Sequence, residues 1–217
     1  MHFQILLYDN FDPLDAIAPF EVLTAGGEAT AGDLTLSYVS AEGPRRVVSG
    51  NPQVALDASE QFDPARPGYV VVPGVVGPIA GDPDEVATIP VLLARFGETR
   101  AAPLMRQALA DPAVTVATVC GGSLALAMAG LIEGRHAVTH YMGMDVLDGT
   151  GVHAVDARVV DDGDLISSGG VTSGLDLGLY LLEREYGPQI AHAVETLFQY
   201  ERRGVVWQDS GRRPVAF

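Results

Sequence analysis

The only cysteine of this 217-residue chain, Cys120, follows an apolar, β-branched run, Val114-Thr115-Val116-Ala117-Thr118-Val119. Gly121 and Gly122 come immediately after it, and then a small-residue helical pattern. This order predicts a strand turning into a helix within about two residues, a nucleophile elbow whose adjacent glycines relieve crowding. In a parallel α/β sheet such a turn lies at the carboxyl edge, where ligands bind. It also sets the sulfur at a helix amino terminus, whose free N–H groups and dipole favour the thiolate. Thiolate is the nucleophilic form, so Cys120 is the candidate nucleophile. A free cysteine is otherwise a small buried hydrophobe; it is the turn that argues for chemistry.

Two carboxylates lie in the apolar stretch after the first predicted strand, Asp15 and Glu21. Asp15 stands where a helix begins, so it is either an N-cap or a group facing the cysteine. Burial beside sulfur would raise the pKa of such a carboxyl and let it donate a proton. Glu21 is an accessory candidate, its ordinary alternative being a solvent-facing helix residue. His140 ends the short run Ala137-Val138 and is the second accessory candidate, structural or catalytic. The turn Val72-Pro73-Gly74-Val75 offers backbone N–H groups at Gly74 and Val75 which, with Gly121, form a candidate oxyanion site. The glycine-rich stretch Ser168-Gly169-Gly170-Val171-Thr172-Ser173-Gly174 lacks the Gly-Lys-Ser/Thr of a P-loop and the spacing of a dinucleotide fingerprint.

The elements that must position these groups read as a mostly parallel α/β sheet. Apolar runs at residues 3–7, 34–40, 69–72 and 114–119 are near-continuous, as expected of strands covered on both faces. Helical patterns at 14–23, 83–96, 102–109 and 122–129 alternate with them. Residues 158–167 read as a hairpin around Asp162-Gly163. Helices are predicted over 172–186 and 188–202, and the tail from about Gly204 as irregular. The whole, residues 1–217, reads as one domain.

Composition narrows the function classes. A formal net charge of −15 lacks the basic footprint of a nucleic-acid binder and disfavours anionic membranes. No apolar segment reaches the length of a bilayer span, and the amino end lacks the basic stretch and cleavage site of a signal peptide. One cysteine cannot form an internal disulfide, which suits a reducing cytoplasm. The five histidines show no metal-ligand spacing, so no metal and no cofactor are expected, and the partner is a small-molecule substrate.

These segments, in this order, resemble the DJ-1/PfpI superfamily. The resemblance runs from Ile5 to about Trp207. It is carried by the helix pattern from Leu14-Asp15 to Val22-Leu23, by Val72-Pro73-Gly74 and by Val119-Cys120-Gly121-Gly122-Ser123. Gly130-Leu131-Ile132-Glu133-Gly134-Arg135, Thr139-His140-Tyr141 and Gly169-Gly170-Val171-Thr172-Ser173-Gly174-Leu175-Asp176 complete it. It implies a flavodoxin-like three-layer sandwich similar to class I glutamine amidotransferase domains, and a homodimer. Within the superfamily the chain looks most like the isonitrile (isocyanide) hydratase branch, which adds water to an isocyanide to give an N-substituted formamide. There Cys120 would be the nucleophile and Asp15 the match to the catalytic aspartate. Glu21 matches the acidic residue that other members place near the cysteine. The chain also resembles sensor domains of AraC-type regulators, and a glyoxalase- or deglycase-like activity would use the same thiolate. Beyond Trp207 there is no room for a basic helix-turn-helix. Gly121 stands where isonitrile hydratases carry Thr, Val75 where a second Gly is usual, and residues 81–103 look longer than in the relatives.

Overall fold

The computed structural model describes residues 1–82, 85–213 and 215. The first half contains β1 (His2–Leu6), α1 (Pro13–Ala29), β2 (Thr35–Ser40), β3 (Arg45–Val48), β4 (Ala55–Ala58), β5 (Glu60–Gln61) and β6 (Gly68–Val72). Next come α2 (Ile89–Ala94), α3 (Ala101–Ala110), β7 (Val114–Val119), α4 (Gly122–Met128), β8 (His136–Ala137) and α5 (Met144–Gly149). The last part holds β9 (His153–Ala154), β10 (Val159–Asp161), β11 (Leu165–Ser168), α6 (Ser173–Tyr186), α7 (Pro188–Phe198) and β12 (Trp207–Gln208).

The main sheet has the order β12-β10-β11-β7-β6-β1-β2-β5. All its pairings are parallel except β10 with β11. Ile5, Val71, Ala117 and Ile166 are register partners across four strands, and all four are fully buried. Their neighbours along the strands, Val70, Val72, Val116 and Leu165, enter a second core on the opposite face. The first core is closed by α1, α6 and α7, the second mainly by α3, α4 and α5. Burial on both faces is the reason these strands read as unbroken apolar runs. The result is the expected α/β three-layer sandwich with a mostly parallel sheet.

Several boundaries differ from the sequence reading. Helix α1 continues past Leu23 to Ala29 through Gly26-Gly27. A Cβ on Gly26 would stand 2.3 Å from Leu182 of α6, so the glycine is where the two helices close on each other. The helix predicted over 83–96 begins on Pro83 and Asp84, which lie outside the described residues. The described helix starts at Ile89 and ends in a 3₁₀ turn, Arg95–Glu98. Helix α7 stops at Phe198 because Gln199 adopts a left-handed conformation. The tail is not wholly irregular: β12 pairs with β10, and Gln208 Nε2 donates to Asp161 Oδ2 at 3.1 Å. The β3–β4 hairpin has no counterpart in the sequence reading, since its exposed residues outnumber its buried ones. Among the described residues no helix is long and apolar enough to cross a membrane.

Candidate active site

Strand β7 runs into α4 through Cys120, as the elbow pattern predicts. The strain falls on the cysteine and not on the glycines: Cys120 has φ +54°, while Gly121 is right-handed. A left-handed cysteine costs roughly 1–2 kcal/mol, so neighbouring contacts must hold it there. The Cys120 N–H donates to the Ser168 carbonyl at 3.0 Å, and its carbonyl accepts from Thr139 Oγ1 at 2.9 Å. Gly122 serves a different need. A Cβ there would lie 2.2 Å from the Val72 carbonyl oxygen, so only glycine lets α4 start this close to β6.

Asp15 is brought to the elbow from the first turn of α1. It is fully buried, and its Oδ2 accepts from the Gly74 N–H at 2.9 Å. The Pro73–Gly74 peptide is pinned from the other side as well, since the Tyr8 hydroxyl donates to the Pro73 carbonyl at 2.6 Å. The next peptide is held too: Asp12 N–H donates to the Gly74 carbonyl at 2.9 Å. In a trans peptide N–H and C=O point opposite ways, so the Val75 N–H is turned away from Asp12. A Cβ on Gly74 would stand 2.7 Å from the Gly121 nitrogen and 2.9 Å from Asp15 Oδ2. Glycine at 74 is therefore what allows the turn, the carboxyl and the elbow to meet.

The Cys120 sulfur interacts with the Asp15 carboxyl and with the Gly121 N–H. Asp15 Oδ1 has no partner of full hydrogen-bond geometry among the described residues. Burial, with the Asp12 charge second, holds the Asp15 carboxyl well above the usual carboxylate range. The Gly74 N–H and the Cys120 side chain oppose this less strongly. Burial pushes the Cys120 thiol up as well, and the Asp15 charge adds to the shift. This corrects the expectation of a resting thiolate. The Gly121 N–H does lower the thiol's pKa, but α4 is only seven residues long and two aspartates face the sulfur. Burial therefore favours the proton-bearing form of each group over its anion.

A cavity of about 470 Å³ opens over the sulfur. Apolar groups dominate its wall, among them Val75, Ile89, Leu93, Leu124, Met128 and Val171, and its polar lining includes Asp12, Thr139 and His140. Of the sequence candidates, the structure brings Cys120, Asp15, Gly74, Val75 and Gly121 together. His140 lines the same cavity, where its Nδ1 accepts from the Met142 N–H at 3.3 Å. Glu21 is the correction. Six residues after Asp15 it has rotated about 240° around the helix, and it lies exposed beside Tyr38. Tyr8, Asp12 and Leu93 were not singled out from the sequence, and Thr139 entered only as a neighbour of His140. No local pattern marks them, since each acts on a residue brought close by the fold or on the cavity. Among the described residues no group of three or more His, Cys, Asp or Glu is placed to hold a metal ion.

The DJ-1/PfpI family model matches residues 90–184, the segment holding α2, the elbow, His140 and most of α6. Residues 90–184 thus carry the DJ-1/PfpI family pattern. The chain is 41% identical over 85 residues to an isonitrile hydratase of Pseudomonas putida, covering 39% of this chain and 37% of that protein. It is 28% identical over 201 residues to the HTH-type transcriptional regulator GbdR of Pseudomonas aeruginosa, covering 91% of this chain and 50% of that protein. The chain thus spans half or less of the length of these curated relatives. A THiJ/PfpI family protein of Pseudomonas syringae superposes with a TM-score of 0.75 at 24% identity, over 94% of this chain and 76% of that one. This last likeness is one of fold.

Proposed function

We propose that this DJ-1/PfpI protein is a cofactor-free, cysteine-dependent hydratase acting on a small electrophile, with an isocyanide as substrate and an N-substituted formamide as product. The observation that carries the reading is the buried pair of Asp15 and Cys120, in contact at the elbow and with burial favouring the proton-bearing form of each. The terminal carbon of an isocyanide takes up a proton and a sulfur at the same atom, which suits such a pair. Asp15 gives its proton to that carbon as the Cys120 sulfur bonds to it, and the thiol proton passes to the carboxylate. This yields a thioimidate and restores the acid. Water then adds to the same carbon, its proton going to Asp15 as Asp15 protonates the nitrogen. The C–S bond breaks, the hydroxyl proton returns to sulfur by way of Asp15, and the formamide leaves. The sum is one isocyanide plus one water giving one formamide. The Val75 and Gly121 N–H groups are the donors for the oxygen in the tetrahedral intermediate. The isonitrile hydratase relative supports the reaction class, the family resemblance supports a homodimer, and the lone cysteine suits a cytoplasmic location.

The test is formamide formation from n-butyl isocyanide by the wild-type protein and by Cys120→Ala. Loss of at least about 10⁴-fold in the folded variant is expected; undiminished turnover sinks the mechanism.

The alignment with GbdR over 91% of this chain favours a second reading, a ligand-sensing domain without turnover. Tight ligand binding that survives Cys120→Ala, with no product formed, would support it. This reading also reopens the expectation of no nucleic-acid partner, which an electrophoretic mobility assay with duplex DNA decides.

A further inference from the structure

Gly121 directs its missing side chain at α2. A Cβ at position 121 would lie 3.1 Å from Leu93 Cδ2, 3.4 Å from Leu93 Cδ1 and 3.6 Å from Gly74 Cα. Contacts of 3.1 Å are closer than packed carbon atoms tolerate without movement. The space next to the elbow that a larger residue at 121 would use is thus filled by an aliphatic group from another element. Leu93 is nearly fully buried against the second core, so it is packed in place. It lines the same cavity wall as Cys120, Gly121 and Ile89.

We propose that Leu93 is the specificity-determining residue of the site, admitting neutral electrophiles whose reacting carbon sits on a slender, unbranched group. This rests on Cys120 as the reacting group and deepens the hydratase reading. Branching one atom removed from the reacting carbon brings a methyl into the volume held by the Leu93 methyls, beside Gly121 and Gly74. Shortening Leu93 releases that volume, and a hydrophobic wall changed by one or two carbons shifts selectivity by about 10- to 200-fold.

Two readouts separate this inference from the hydratase reading. The first is the rate at which Cys120, the only cysteine in the chain, is alkylated by iodoacetone and by its tert-butyl analogue 1-iodo-3,3-dimethylbutan-2-one, followed by mass spectrometry at pH 9. The second is hydration of n-butyl against tert-butyl isocyanide. In both, wild type favours the slender reagent. Leu93→Ala raises the branched-to-slender ratio at least about tenfold, and Leu93→Val raises it less, in the same direction. Leu93→Val removes one carbon and keeps the variant set usable if the alanine variant does not fold, which thermal unfolding reports. An unchanged alkylation ratio in a folded variant overturns the proposal, whatever the turnover. A shifted alkylation ratio with no isocyanide turned over supports Leu93 and removes the hydratase reading. Turnover with unchanged ratios does the reverse.

Discussion

Asp15 and Asp176 occupy equivalent places in adjacent helices, the first turns of α1 and α6, and are almost equally buried at 0% and 2% exposure. Their surroundings are opposite. Asp176 accepts from Arg158 Nε, the Tyr200 hydroxyl and the Arg203 N–H, each at 2.8 Å, and pairs with the Arg158 guanidinium at 2.7 Å. Asp15 takes one backbone N–H, leaves Oδ1 without a full partner among the described residues, and faces a thiol and a second carboxyl. A buried carboxylate that is paired and hydrogen-bonded on both oxygens is a structural tie. Asp176 ties the hairpin, α6 and the chain beyond α7 into one unit. A buried carboxyl without a cation cannot afford its charge, so it keeps its proton and has one to give. The difference between fastening and chemistry lies in the partners, since residue type, burial and helix position are shared.

The contrast breaks first on activity. Asp15→Asn should lower kcat for isocyanide hydration by about 10²- to 10⁴-fold, the usual worth of a positioned general acid; steady-state kinetics checks this. Asp176→Ala should instead cost about 3 kcal/mol of stability in urea unfolding, because it strands Arg158. Turnover per folded molecule should stay within about twofold of wild type. A third expectation concerns pH. The folded-state pKa of Asp15 is raised above the ordinary 3.8, so the wild type loses stability as pH rises from there through the raised value. Asparagine has no charge to withhold, so thermal melts of Asp15→Asn should gain on wild type above about pH 4 and show no such gain below it. The hydration rate of the wild type should likewise fall as pH rises through the Asp15 pKa, where the acid is lost. The smallest effect belongs to Glu21→Gln: activity within about twofold and stability within about 0.5 kcal/mol, as for an exposed residue away from the site.

The elbow was legible because its signal is local: a buried strand, a cysteine and two glycines in succession leave the chain few alternatives. The same pattern misplaced the strain, which the Ser168 and Thr139 contacts hold on Cys120 itself. Spacing could nominate both Asp15 and Glu21, but only the helix phase separates them. The raised thiol was illegible for a related reason. A helix terminus is visible in a sequence, whereas two carboxyls converging on one sulfur from another element are not. Tyr8 and Asp12 act through the peptides on either side of Gly74, more than 60 residues away. Leu93 acts from a helix laid over Gly121.

By itself the sequence determined the parallel core strands, the cysteine turn and the acidic balance of the chain, because periodicity, glycine placement and charge are properties of the residues themselves. The tertiary structure decided which carboxyl meets the thiol, that burial disfavours the anion of each, and that Leu93 stands over Gly121. Those outcomes depend on desolvation and on approaches of three ångströms between distant segments, which exist only once the three layers have closed.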